Sequence, residues 1–201
     1  MPPKATDFTH SQPDLLTWQV FSPEHRCELT ANAVMAGGRW FLFDPIPLAA
    51  PAVAALRQRG PLAAVVLTNA NHERAAARWR ELTGAPVWAD AAAPLELSDV
   101  HRFDPATNAW EGWEIHRLTG GAPGEIALRR EEASLLVLGD AVFDLPRHGL
   151  GVLPEKYCTD RPRLLAALRE LVHRPFERAA LAHGGPLQPG AARCIASLLS
   201  L

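Results

Sequence analysis

Apolar and polar positions alternate in short runs near the start of the chain, over Leu15 to Phe21, Glu28 to Ala36 and Arg39 to Phe43, with Gly37-Gly38 as turn chemistry between the last two. A period of two puts alternate side chains on one face, so this stretch predicts antiparallel strands. Alanines and leucines from Leu48 to Arg59 predict a helix that stops at Gly60, and the apolar run Leu62 to Leu67 predicts a strand buried on both faces. After the turn Thr68-Asn69-Ala70-Asn71, a helix is expected over His72 to Leu82, closed by Gly84 and Pro86, and a short strand over Val87 to Ala89. A second strand series is expected at Ile115 to Leu118, Glu125 to Arg129 and Ser134 to Leu138, broken by the turn residues Gly120 to Gly124. The pattern closes with a helix over Arg163 to Val172, a strand over Ala179 to Ala182 and a helix over Gly190 to Leu199.

Strands, helices, strands and helices again make an α/β (α+β) pattern of two halves, which predicts one domain over 1–201 with two mixed sheets packed together and helices outside. Hydrophobic residues make up 48% of the chain, enough for a sizeable core. Twenty basic side chains against 22 acidic ones leave a formal charge of −2, which gives no electrostatic footprint for nucleic acid. Lys4 and Lys156 are the only lysines, so a lysine nucleophile has almost no candidates. The uncharged stretch Pro45 to Leu56 is twelve residues with three prolines, far short of a bilayer span, and Met1 to Asp7 lacks an apolar leader segment; a cytoplasmic protein without membrane partners is expected. Cys27, Cys158 and Cys194 form no C-x-x-C pair and are expected to be reduced, mostly buried thiols.

Three loops follow buried strands, where a rigid sheet can hold polar groups within reach of a ligand. They are Thr68 to Arg74, Gly139-Asp140 and His183-Gly184. No G-x-S-x-G elbow, G-x-x-x-x-G-K phosphate loop or strand-to-helix G-x-G-x-x-G is present.

Asn32 and Asp44-Pro45, Leu67-Thr68, Thr119 to Leu128, Leu138-Gly139-Asp140-Ala141 and Ala182-His183-Gly184 occur in the order seen in the metallo-β-lactamase fold superfamily, which the chain resembles over nearly its whole length. The resemblance implies a four-layer αββα sandwich with one or two metal ions, usually zinc, at the open edge of the sheets. It also implies hydrolysis of esters, amides, thioesters or phosphodiesters by metal-activated water. With Thr68 as anchor, the ligand positions of the family's H-x-H-x-D-H turn fall on Asn69, Asn71, Glu73 and Arg74, and the third-segment histidine falls on Gly121. Only Asp140 and His183 match. His148 and Tyr157 are expected to line the cleft, because loops after the G-D element border the site in this family.

Two readings of these departures stand side by side. In the first, the dinuclear zinc site is lost and no cofactor is expected. Arg74 replaces a metal ion and pairs with Asp140 through two hydrogen bonds, in a small-ligand-binding or scaffold protein that can form a homo-oligomer. A dication about 4 Å from Arg74 would be opposed by about 8 kcal/mol at an effective permittivity near 20. In the second, His72 joins Asp140 and His183 in a mononuclear Zn or Fe site that hydrolyses a small ester, thioester or amide, with Glu73 as base. Glu73 also suits the plain role of an acid in the first turn of a helix.

Overall fold

The computed structural model describes residues 3–104 and 106–199. Its first sheet follows chain order through seven strands: β1 (Thr9–Gln12), β2 (Leu15–Ser22), β3 (Cys27–Ala36), β4 (Arg39–Phe43), β5 (Leu62–Leu67), β6 (Val87–Asp90) and β7 (Val100–Phe103). The first four pair antiparallel. From β4 onward pairing is parallel, because helix α1 (Ala50–Gln58) crosses from β4 to β5 and helix α2 (Ala76–Thr83) from β5 to β6.

The second sheet takes β8 (Ala109–Trp110), β9 (Trp113–Arg117), β10 (Ile126–Arg130) and β11 (Leu135–Leu138) in antiparallel succession. After the separate hairpin of β12 (Val142–Leu145) and β13 (Gly149–Val152), helix α3 (Arg161–Leu171) returns the chain to β14 (Arg178–Leu181), parallel to β11. Helix α4 (Ala191–Leu199) ends the described chain.

Period-two alternation divides the core into three layers of contact. Inward residues of the first sheet (Leu15, Phe41, Phe43, Val66) meet Trp113, Ile115, Leu128 and Val137 of the second. Their neighbours Trp18, Leu42, Val65 and Leu67 face the other way, onto Leu56 of α1 and Trp79 of α2. On the far side Leu136, Leu138 and Leu181 pack against Leu164 and Leu168 of α3 and Ile195 of α4. The layers are therefore helices, sheet, sheet, helices, and strands covered on both faces read as continuous apolar runs.

The edge strands β1, β7 and β8 and the β12–β13 hairpin lie outside the predicted elements. β1 and β7 carry exposed polar residues, β8 is only two residues long, and each of these strands is extended because a neighbour pairs with it. The helix expected from His72 is divided into a single 3-10 turn, Ala70–His72, and then α2. Arg74 between them has φ +36°, a left-handed conformation that no helix can propagate. The cysteines also differ from expectation: Cys27 and Cys158 are half-buried and Cys194 is exposed, all with free thiols. Trp79 and Trp113 are fully buried, as their strand and helix patterns suggest. No helix among the described residues is long and apolar enough to cross a membrane.

Candidate metal centre

Strand β3, the end of β5, the start of β10 and the end of β14 are stitched together by backbone hydrogen bonds that cross between the sheets. Thr30 N–H donates to Ala182 O at 2.9 Å, Ile126 N–H to Thr68 O at 2.8 Å and Ala70 N–H to Pro123 O at 3.0 Å. The loops leaving those strands are thereby held against one another. His72, Asp140 and His183 converge there, with one ligand atom from each lying within 4.8 Å of the others.

Each position has a local cause. The Asn69 side chain accepts from Asn71 N–H at 2.8 Å, capping the 3-10 turn that aims His72 inward. Asp140 follows Gly139, where a Cβ would fall against Thr68 Oγ1 and 2.7 Å from Glu125 Oε1, so only glycine lets β11 run this close to its neighbours. His183 stands at the exit of β14, with its loop tied back by Thr30 Oγ1–H donating to Gly184 O at 2.9 Å.

Hydrogen bonding decides which nitrogen of each imidazole is free. Thr68 O–H donates to Asp44 Oδ2 at 2.8 Å, so the acceptors around His72 Nδ1 are Thr68 Oγ1 at 3.0 Å and Asp44 Oδ1 at 3.2 Å. Nδ1 of His72 therefore carries a proton. His183 Nδ1 donates to Glu28 O at 2.9 Å, with Cys27 Sγ at 3.7 Å. Both Nε2 atoms are left pointing at Asp140 Oδ1, each at 3.0 Å. An Nε2 lone pair facing that oxygen needs a positive group between them: a proton on Nε2, a bound cation, or, for His183, the Arg74 Nη2–H at 3.4 Å. Asn71 Nδ2–H holds the other carboxylate oxygen at 3.3 Å.

The electrostatics follow from this geometry. Burial pushes the Asp140 carboxyl up, but His72 and His183 overcome it and hold the group well below the usual carboxylate range. Asp44 is lowered as well, against burial, by His72, Arg74 and the Thr68 N–H. His72 is raised despite burial and the Arg74 charge, because Asp44 and Asp140 flank it. His183 is raised, again against burial, mainly by its bond to Asp140.

The donor set suits one ion. Two imidazole nitrogens with Nδ1–H fixed by a carboxylate and a carbonyl, plus one carboxylate oxygen, form the usual three-residue face of a zinc or iron site. A tetrahedral ion with bonds of about 2.0 Å sets its ligand atoms about 3.3 Å apart, near the Nε2 to Oδ1 spacings seen here.

The remaining expected residues sit elsewhere. Arg74 forms no pair with Asp140: its Nη1 donates to Thr30 O at 3.0 Å and Asp44 O at 3.1 Å, and its Nη2 lies 3.4 Å from His183 Nε2. The left-handed Arg74 backbone and the two carbonyls fix this direction, and Asp140 is already occupied by the imidazoles. The Glu73 carboxylate turns away from the cluster and caps the backbone N–H groups of Glu96, at 2.5 Å, and Leu97, at 2.9 Å. Asn69 Nδ2–H donates to Glu125 Oε2 at 2.8 Å. Gly121 contributes backbone only, and a Cβ there would lie 2.9 Å from Glu125 Cγ. His148 is exposed on the β12–β13 turn, and Tyr157 is 58% exposed with its ring against Lys156 Nζ at 4.6 Å.

Sequence reasoning missed Asp44, Thr68 and Glu125 as site residues. Glu125 is buried with no cationic side chain paired to it among the described residues; burial and the Asp140 charge push its carboxyl well above the usual range. The signals were an acid ending the apolar strand Arg39–Phe43 and another opening Ile126–Arg130.

The family model described as metallo-beta-lactamase superfamily matches residues 9–181. The chain belongs to that superfamily. Among solved structures, the metallo-β-lactamase DIM-1 exposed to ceftazidime is similar at TM-score 0.75 and 14% identity, over 99% of this chain and 98% of that one. A metallo-β-lactamase from Hirschia baltica is similar at TM-score 0.72 and 14% identity, covering 97% and 98% of the two chains. TTHA1623 in a di-iron-bound form is similar at TM-score 0.66 and 22% identity, covering 85% and 94%. No curated protein matches the chain. Against the family's ligand turn, His72 lies two places before Arg74, the position matched to the last ligand, and its imidazole is the one in that turn that reaches Asp140.

Proposed function

We propose that this chain is a mononuclear metal-dependent hydrolase of the metallo-β-lactamase superfamily, acting on a small ester, thioester or amide. The ion would be held by His72 Nε2, His183 Nε2 and Asp140, in place of the dinuclear arrangement. The observation that carries this reading is the convergence of two Nε2 atoms, both with Nδ1 committed as donor, on one carboxylate oxygen. Bound there, an ion supplies Lewis acidity toward a carbonyl and lowers the pKa of a coordinated water.

The protein's own groups do the positioning. Asp44 and Thr68 fix the tautomer and plane of His72, and Glu28 O does the same for His183. Asn71, exposed at the mouth, keeps Asp140 Oδ2 oriented. Glu73 is spent on the backbone of the 96–97 loop, so no base is assigned to it.

Elemental analysis after loading with zinc or iron tests the reading. One ion per chain is expected for the wild type, with loss of high-affinity binding in His72→Ala and Asp140→Ala alike. Wild-type binding in both variants would refute it.

One observation favours a second reading. Arg74 Nη2 stands 3.4 Å from His183 Nε2, where a cation is opposed by the guanidinium. On that reading the protein is metal-free, Arg74 supplies the positive charge, and the cleft binds a small ligand. Folded wild-type protein that takes up no zinc or iron under loading would select it.

A further inference from the structure

Arg74 is a guanidinium beside the candidate metal centre that feels the charges of Asp44 and Asp140 but makes no direct contact with either carboxylate. No carboxylate oxygen among the described residues comes within 4.0 Å of it. Of its five N–H donors, two are spent on Thr30 O and Asp44 O, and the others have no oxygen acceptor among the described residues. The nearby carboxylates are committed. Asp140 Oδ1 faces both imidazoles and Oδ2 accepts from Asn71, while Asp44 is bound to Thr68 and His72. The side chain is only partly buried, and its backbone at φ +36° is held in a conformation unfavourable for any residue except glycine. A permanent cation is thus kept beside the ligand atoms, anchored by carbonyls, with N–H groups that meet no carboxylate. Its planar fork matches a carboxylate better than any neutral group.

We infer that the centre is built for an anionic substrate, an ester, thioester or amide bearing a carboxylate near the cleaved bond, and that Arg74 holds that carboxylate. The inference rests on the hydrolase reading for the reaction but on Arg74 alone for the anion. In the hydrolysis, water adds to the acyl carbon, the bond to the leaving alcohol, thiol or amine breaks, and the leaving group takes the proton. Arg74 makes and breaks no bond and acts as a specificity determinant.

Two measurements test it. With the zinc-loaded protein, kcat/KM is compared for 4-nitrophenyl hydrogen succinate and its neutral methyl ester, in the wild type, Arg74→Gln and Arg74→Lys. A wild-type preference for the anionic ester of about tenfold or more is expected, lost in Arg74→Gln and partly kept in Arg74→Lys. Separately, calorimetric titration with succinate, succinamide and inorganic phosphate is carried out on the metal-free and zinc-loaded wild type and on Arg74→Gln. Succinate should bind more tightly than succinamide, and Arg74→Gln should weaken succinate by about tenfold with a smaller effect on phosphate. Arg74-dependent succinate binding without zinc uptake would remove the hydrolase reading and keep this one. One zinc per chain with succinate binding unchanged in Arg74→Gln would do the reverse. Equal binding of succinate and succinamide by the wild type would overturn the inference even if the variant failed to fold, and a dependence on Arg74 for phosphate but not succinate in the folded variant would overturn it as well.

Discussion

At the scale of single residues, the centre depends on side chains that touch no ligand. Asp44 holds His72 Nδ1 from a left-handed backbone, φ +50°, and anchors the Thr68 N–H and O–H at 2.8 Å each. Such outer partners set ring orientation and basicity. Replacing Asp44 by Asn, or Thr68 by Val, should leave the His72, Asp140 and His183 side chains present yet weaken zinc affinity by about 10- to 100-fold, read by competition with a chelator. Affinity unchanged in both variants would show that His72 needs no such support. Asp140 and His183 were legible in the sequence because each directly follows a buried strand, at Leu138-Gly139 and Leu181-Ala182. The reach of His72 to Asp140 was one of two readings the sequence left open; the failure of Arg74 to pair with Asp140 was not legible, since it depends on a left-handed backbone at residue 74 and on carbonyls from distant parts of the chain.

At the scale of elements, strands β5 and β11 approach because Gly139 has no side chain. Gly139→Ala would press a methyl group against Thr68 and Glu125, in a place where neither neighbour is free to move. Overpacking of this kind costs roughly 1–3 kcal/mol. A lowered urea midpoint with an unchanged denaturant slope is expected, and a midpoint equal to the wild type would show that β11 can shift. Most strands and helices were readable from alternation and helix-forming runs: β2 to β6, β9 to β11 and β14 all fall on predicted segments. The division of His72 to Leu82 into a 3-10 turn and α2 was not, because helix propensity describes residues one at a time. Here Ala75 N–H donates to Pro45 O and Arg74 is drawn toward Thr30 O and Asp44 O, contacts from distant parts of the chain.

At the scale of the whole molecule, the two sheets are joined by charge as well as by the core. Arg178 of β14 forms a two-pronged pair with Asp14, between β1 and β2, at 2.7 and 2.8 Å. The pair lowers the Asp14 pKa: its hydrogen bonds and charge outweigh the cost of burial. A carboxyl with a depressed folded-state pKa contributes stability that is fully present above its unfolded value, about 3.9, and is lost as pH falls through the folded value. The stability difference between wild type and Asp14→Asn, followed by urea unfolding from about pH 7 to pH 3, should therefore be constant near neutrality and shrink below about pH 4. A difference independent of pH would show that the pair contributes nothing.

Within the sequence alone lay the order of most strands and helices, the two-sided burial of β5 and the superfamily resemblance, because these follow from residue types and periods along one stretch of chain. The three-residue centre, the protonated Nδ1 atoms that free both Nε2 atoms, and the Arg74 fork that meets no carboxylate were decided only when β3, β5, β11 and β14 came together. Those features depend on distances of about 3 Å between residues far apart in the chain, such as Glu28 O and His183 Nδ1 at 2.9 Å, and no local pattern encodes such a distance.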